Sequence, residues 1–406
     1  MEKRIDNFFN NKLSLIILLI VSLSTIYFSN SLYVYEDVLS LQDSKGYILL
    51  AEDPRNYLYG QHQESLRILP SMIVFLFKLT GLSTEACFKV LTFFFFIILH
   101  YKIFYLFKAY KIKNYLSLVA IAILLYSNHA VIYTVFNYYQ LVDLITYIVI
   151  IHFIELHKNY DLKKLFLISM IAIFTKEYLL ILVLTLHIKY LIFQYDKKII
   201  ISLCLILSIF ILHYNLAAHY TLDDDAGKSS VINLIIGFAQ DHTLFTESIF
   251  NALFLEKNIF LFFPFILLLF SFKFISFLNK HFSIVIFVFI PLGFSLFLFH
   301  NVGNNFFRVF YHGYFIIILY CLLFLFNEIS KKDNSMILIF ISPLFFMIDY
   351  IHILNNIKQD GFFNYFQTFR YQYLSGYYFF NIMIIVILTM NFKNLFMKKF
   401  TKKYEK

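Results

Sequence analysis

Apolar residues run along this chain in blocks of spanning length, divided by polar stretches that are short on one set of connections and long on the other. The first block extends from Leu13 to Ser29, and others lie near 86–107, 115–133, 140–157, 198–217, 258–277, 282–300, 314–329, 335–352 and 378–397. A helix needs about 20 such residues to cross the hydrocarbon of a bilayer, so each block predicts a transmembrane helix. Between 163 and 195 a longer apolar stretch is interrupted by Thr175, Lys176, Glu177 and Tyr178, which predicts two helices meeting at one membrane surface. Ile68 to Leu79 is too short to cross and predicts a helix lying flat on the outer surface. The sum is an all-α polytopic membrane protein of about 12 transmembrane helices. It reads as a single integral membrane domain over 1–406, with no repeat period and no soluble domain. No small-residue cleavage site follows the first block, so it is expected to stay as a helix instead of leaving as a signal peptide.

Charge gives the blocks a direction. With the first block running from inside to outside, the inner segments carry Lys3, Arg4 and Lys12, then Lys108, Lys111 and Lys113, then Lys158, Lys163 and Lys164. Lys197 and Lys198, Lys273 and Lys280, Lys331 and Lys332, and the lysines from Lys393 to Lys406 complete the set. Most of the 34 basic residues thus fall on one side, the cytoplasmic one by the positive-inside rule, and both termini are expected there. Acids collect on the other side, among them Glu36, Asp37, Asp43, Glu52, Asp53, Glu64 and Asp223 to Asp225. All 10 glycines except Gly293 fall in or beside outer loops, so shaped backbone, and with it the chemistry, is expected on the outer face.

Composition removes other classes. AVILMFWYC make up 60% of the chain and charged residues 15%, against an apolar share of about 45–50% in soluble domains. Three cysteines, Cys87, Cys204 and Cys321, are widely spaced inside apolar runs and read as small packing residues. A net charge of +9 is spread in short clusters between membrane blocks, which argues against nucleic acid as a partner. Asp223 to Asp225 point in different directions as consecutive acids and read as a solvated loop. The histidines show no metal-ligand spacing, with His62 alone close to the first loop.

Candidate chemistry concentrates in the first outer loop. The stretch from Tyr33 to Arg55 has helical periodicity and too many charges to span, which predicts an interfacial helix. Asp43 and Tyr47 are four residues apart and share one face of it. A carboxylate held there can accept a proton from a substrate hydroxyl, with Asp37 and Asp53 as rivals. Arg67, Pro70 and the short amphipathic run follow, then Gly81 to Glu85 and the second span. Asn137 to Asp143 stands at the outer start of the fourth span, where Asp143 is either a site residue or an acid serving the helix N-terminus. Lys176 and Glu177 either pair with one another or meet a substrate phosphate. Arg308 is one of few outer arginines, its partner a phosphate or a carboxylate.

This order of features resembles the GT-C superfamily of membrane glycosyltransferases, of the lipid A aminoarabinose or protein mannosyltransferase type. The resemblance is good over 1–216 and loose over 217–406, which reads as variable helices and loops. It implies that Asp43 is the catalytic acid of the first outer loop, and that Arg67 with Pro70 opens a second interfacial helix. It further implies that Tyr47, Arg67, Asp143, Lys176, Glu177 and Arg308 contact substrate or its phosphate. The activity implied is transfer of a sugar from a polyprenyl-phosphate-linked donor to a lipid, glycan or protein acceptor, on the outer face of a bacterial inner membrane, with inversion and without a metal or other cofactor. An O-antigen-type glycan polymerase would prefer a large outer loop and paired late arginines, hinted at only by Arg308 and Arg370. A lipid-linked glycan flippase would need a polar cavity through the bundle. Neither the sugar nor the oligomeric state is written in the sequence.

Overall fold

Lipid offers a backbone no hydrogen-bond partner, so a segment buried in it must satisfy its amides internally. The computed structural model describes residues 11–32, 42–57, 63–126, 135, 137–176, 178–194, 196–218, 268, 272–280 and 306–330, and the ordered elements among them are helices and 3-10 turns, with no strand. They are α1 (Asn11–Leu32), α2 (Gln42–Glu52), α3 (Ile68–Lys78), α4 (Thr84–Ala109), α5 (Asn114–Tyr126) and α6 (Leu141–Lys158). There follow α7 (Leu162–Thr175), α8 (Leu179–Gln194), α9 (Lys197–Ala218), α10 (Phe272–Asn279) and α11 (Phe306–Ser330). Three stretches of these are long and apolar enough to cross a membrane: Thr84–Ala109, Tyr138–Lys158 and Lys197–Ala217. The blocks expected at 282–300, 335–352 and 378–397 lie outside the described residues.

Helix α6 forms the centre. It is mostly apolar and buried along almost its whole length, as a helix surrounded by other helices must be, with Glu155 near its basic end half-exposed and paired with Lys102. It packs against α4, α7 and, less extensively, α3, α8 and α11. Helix α1 packs on α4 and α5, and α5 on α11. Phe88, Thr92, Phe96, Leu99, Ile103 and Phe107 make one buried stripe of α4, at the three- and four-residue spacing that keeps side chains on one helix face.

The two ends of the bundle differ. At one, Lys158 Nζ donates to the Ala109 carbonyl at 2.5 Å and stands 4.8 Å from the Tyr110 ring centre. There too Lys189 Nζ donates to the His157 carbonyl at 3.1 Å, and the Tyr190 hydroxyl donates to the Leu156 carbonyl. These bonds bring the last turns of α4 and α6 level, beside Lys108, Lys111, Lys163 and Lys164, so this is the basic end. At the other, α2, α3 and the 3-10 turn Gln63–Arg67 pack on one another and over α4, α6, α7 and α9. Helix α3 is 11 residues, about 16 Å long, too short to cross and laid instead against α2, as its length dictates.

Candidate functional site

The site begins with a mismatch of lengths. Helix α4 has 26 residues and is about 39 Å long, whereas α7 with 14 is about 21 Å and α8 with 16 about 24 Å. Helices α7 and α8 pack on each other as a hairpin that rises from the basic end and stops well short of the far end of α4. The sequence predicted a meeting point at a membrane surface. Its tip is buried within the protein: Asp161 caps α7 at its start by accepting from the Lys164 amide at 3.2 Å, and Lys176, 2% exposed, ends it with extended backbone (φ −153°, ψ 130°).

At that tip Lys176 Nζ lies 2.5 Å from Asp143 Oδ1, with side chains 2% and 3% exposed. They are the only ammonium and the only carboxylate buried among the described residues. Asp143 sits in the first turn of α6, where the free amides of a helix carry partial positive charge, and Lys176 stands at the C-terminal end of α7, where the carbonyls carry negative charge. Each charge therefore occupies the helix end that suits its sign. The Tyr178 ring lies 5.5 Å from the same ammonium, within cation–π range. Taking two ions out of water still costs several kcal/mol each, about what their attraction returns, and deleting one partner alone typically costs about 3–5 kcal/mol.

The segment between α1 and α4 packs on the elements that carry this pair. Asp43 is the second residue of α2, and Tyr47, one turn on, is wholly buried with its carbonyl accepting from Ser71 Oγ of α3 at 3.1 Å. Helix α2 packs on the turn Tyr138–Gln140 that leads into α6, and the turn Gln63–Arg67 packs on α7 and α9. His213 of α9 meets the Leu66 carbonyl at 3.0 Å through Nε2 and the Phe174 ring of α7 at 4.7 Å. Arg67 is the half-buried last residue of that turn. On the other side Tyr147 of α6, four residues past Asp143, packs against Phe315 of α11 with ring centres 4.6 Å apart. Arg308 is seven residues, two turns, before Phe315 in the same helix.

Of the residues singled out from the sequence, the structure thus joins Asp143 to Lys176, and places Tyr47 and Arg67 in the segment between α1 and α4. Glu177, Asp37, His62 and Asp223 to Asp225 lie outside the described residues, as do the side chains of Asp43 and Arg308. Lys176 pairs with Asp143 across two helices, where the sequence alone offered Glu177 beside it. Asp53 is engaged by Arg55, whose guanidinium approaches it at 2.7 Å. That side-chain hydrogen bond, with the Arg55 amide, holds the Asp53 carboxyl below its ordinary pKa and makes it a poorer proton acceptor.

A second cluster escaped the sequence reading. Glu85 accepts from the Tyr138 hydroxyl at 2.9 Å and from Lys89 at 2.6 Å, and Lys89 lies 5.0 Å from the Tyr138 ring centre. Thr92, two turns further along α4 from Glu85, donates to the Tyr138 carbonyl at 3.0 Å. Glu85 and Lys89 at four-residue spacing were a readable signal, but their tyrosine partner was not. Together α4 and α2 hold the turn before Asp143 from both sides.

Chemically the arrangement offers a preorganised ammonium in a water-poor place, where electrostatic stabilisation of an anion is strongest. No protein-family model matches this chain, and no curated protein or solved structure matches it.

Proposed function

We propose that the protein is a membrane glycosyltransferase of the GT-C type, which takes a sugar from a polyprenyl-phosphate carrier and gives it to a lipid, glycan or protein acceptor on the outer face of a bacterial inner membrane. The observation that carries the reading is the packing of the helix bearing Asp43 over the turn that leads to the buried Asp143–Lys176 pair. The gathering of lysines at the opposite end supports cytoplasmic termini and an outward site. About 12 transmembrane helices over the whole chain remain the reading of its apolar blocks.

In this scheme Asp43 takes the proton of the acceptor hydroxyl as its oxygen bonds to the anomeric carbon. The bond from that carbon to the carrier phosphate breaks with its electron pair on the phosphate oxygen. One direct displacement inverts the anomeric carbon. Lys176, Arg67 and Arg308 are the cations for the departing phosphate, arginine's planar fork suiting two of its oxygens. Asp43 needs no raised pKa, since the hydroxyl becomes acidic only as the new bond forms.

The test is a gene deletion complemented by wild type or Asp43→Asn at matched membrane abundance, with surface glycans and glycolipids compared by mass spectrometry. Loss of one sugar-sized increment, restored only by wild type, is expected, with Asp43→Asn lowering transfer by about 10²–10⁴-fold. Full restoration by Asp43→Asn removes Asp43 as the base, and unchanged glycans in the deletion remove the enzyme. A lipid-linked glycan transporter is the second reading, favoured by the interrupted α7–α8 pair with opposite charges at its tip. It predicts accumulation of the complete lipid-linked glycan on the cytoplasmic leaflet of the deletion strain.

A further inference from the structure

We infer that a groove on the flank of the bundle, at its basic end, holds the headgroup of a phospholipid with a primary amine, of the phosphatidylethanolamine class. Glu155 takes the lipid ammonium, and Lys102 and Lys164 take its phosphate. The inference is independent of the glycosyltransferase reading, since it concerns the opposite end of the bundle and the leaflet on that side.

The groove follows from how the helices pack. Helices α4 and α7 both lie against α6, and α3 packs on all three. Residues 79–83 join α3 to the start of α4, so α3 fills the space between α4 and α7 toward the loop end. Exposure along α6 reports what stays open. Ile145, Ile148, His152 and Glu155 follow one another at three- and four-residue spacing and share one face. Ile145 is 3% and Ile148 8% exposed, whereas the side chains of His152 and Glu155 are 26% and 32% exposed. The stripe is covered toward the loop end and open toward the basic end.

Charges of both signs stand in the open part. Lys102 Nζ of α4 lies 3.8 Å from Glu155 Oε2, and His152 Nδ1 lies 3.2 Å from the same oxygen. Lys164 of α7 acts on this carboxylate from the other wall and meets Asp161 at 3.6 Å. At 3.8 Å the Lys102 ammonium is beyond hydrogen-bond length and keeps its donors for other acceptors. Glu155 differs from its acidic neighbours at this end. Asp161 and Asp196 accept from the Lys164 and Lys198 amides at the starts of α7 and α9, whereas Glu155 stands in the last turn of α6, where a helix disfavours negative charge.

Depth and sign select the ligand. Helix α4 is about 39 Å long and the hydrocarbon of a bilayer about 30 Å thick, so a group within about 5 Å of a helix end stands at headgroup level. Glu155 is about 4.5 Å from the end of α6, and the Lys102 stem reaches back toward water. From Glu155 to Ile145 is about 15 Å, half of the hydrocarbon, which is the reach of one acyl chain along the stripe. Basic pockets between membrane helices on this side ordinarily take anionic headgroups, but the carboxylate between the two lysines selects against net negative charge. A phosphate accepts from the lysines, and a primary ammonium donates to Glu155, which a choline group without an N–H does not.

The experiment places the full chain in nanodiscs of phosphatidylcholine that contain phosphatidylethanolamine and phosphatidylglycerol in equal minor amounts, and reads the retained lipid by native mass spectrometry. Wild type should retain phosphatidylethanolamine over phosphatidylcholine by about tenfold. Glu155→Gln should lower that preference by about tenfold while phosphatidylglycerol is retained as before or more strongly, and Lys102→Gln should lower the retention of both. Equal retention of the ethanolamine and choline lipids by wild type overturns the proposal, as does an unchanged preference in folded Glu155→Gln. A wild-type preference for phosphatidylglycerol would reveal a basic surface in which the carboxylate has no part, and it overturns the proposal too. Should Glu155→Gln not fold, wild type decides alone. Phosphatidylethanolamine with a photoreactive acyl chain should label α6 between 145 and 152, and unlabelled ethanolamine lipid should compete where choline lipid does not. Absence of label from that stretch, as when another part of the chain or a second copy fills the groove, overturns the proposal.

Discussion

Lysines serve helix C-termini at both ends of this bundle, and the two ends use them differently. At the basic end Lys158 and Lys189 reach the last carbonyls of α4 and α6 from exposed or half-buried positions, beside tyrosine rings. At the loop end Lys176 stands at the terminus of α7, also near a tyrosine ring, but it is buried and bonded to a carboxylate. The left-handed backbone positions repeat the contrast. After α3, at the loop end, the residue with positive φ is Gly81, whereas after α4, at the basic end, it is Lys111 with φ 62°. The basic end thus spends backbone strain to keep a charge in water. The loop end spends desolvation to keep one out of it, and only the second expense requires a dedicated partner.

The strongest way to break the comparison is to remove one member of the buried pair. Lys176→Met or Asp143→Leu alone should cost about 3–5 kcal/mol by leaving an uncompensated charge, while the double change should recover most of it. Lys158→Met at the basic end should cost no more than about 1 kcal/mol, since its ammonium and its carbonyl partner both have water as an alternative. Denaturant titration of the purified protein in detergent, followed by circular dichroism, measures all four. Equal losses for Lys176→Met and Lys158→Met would mean that depth does not separate the two ends.

A smaller effect sharpens the loop end. Thr92→Val keeps the shape of the side chain and removes the buried donor to the Tyr138 carbonyl. It should cost about 1–2 kcal/mol and loosen the turn ahead of Asp143. Hydrogen exchange at residues 138–143 should quicken in this variant while exchange at 156–160 stays as it was. Uniform quickening would show that the two ends share one cooperative unit.

Much of this scaffold is legible in the sequence, for a physical reason. Blocks expected at 86–107, 140–157 and 198–217 became Thr84–Ala109, Leu141–Lys158 and Lys197–Ala218, because a bilayer leaves an apolar run few alternatives to a helix. The short run at Ile68 and the break at Lys176 were equally readable, one from its length and the other from its charges. The pairing of Asp143 with Lys176, 33 residues apart, was not. Apolar periodicity gives where helices are, and it contains no register between them. The burial of the hairpin tip was hidden for a related reason: α7 ends at Thr175, where the apolar run gives way to Lys176, but nothing in the run says which helix start receives that lysine. Asp43 remains a sequence-borne assignment, placed by the structure only to its position in α2.

The finest distinction between the ends lies at Lys111. Tyr110, Lys111 and Ile112 close α4 with the Ile112 amide donating to the Phe107 carbonyl at 3.1 Å and the Lys111 amide to the Lys108 carbonyl at 2.9 Å, the pairing that glycine ordinarily completes in left-handed backbone. A side chain there costs about 1 kcal/mol. Lys111→Gly should therefore stabilise the protein, by about 0.5 kcal/mol once the freer unfolded chain is counted. Lys111→Asn, which tolerates the same backbone without the charge, separates conformation from electrostatics. If both variants gain and both keep their orientation in the membrane, judged by protease access to the connections beside Lys111 and Lys163, the charge at this end is exchangeable because its neighbours share the task. Loss of orientation with either would make Lys111 as specific to its place as Lys176, and the two ends would then differ in depth but not in kind.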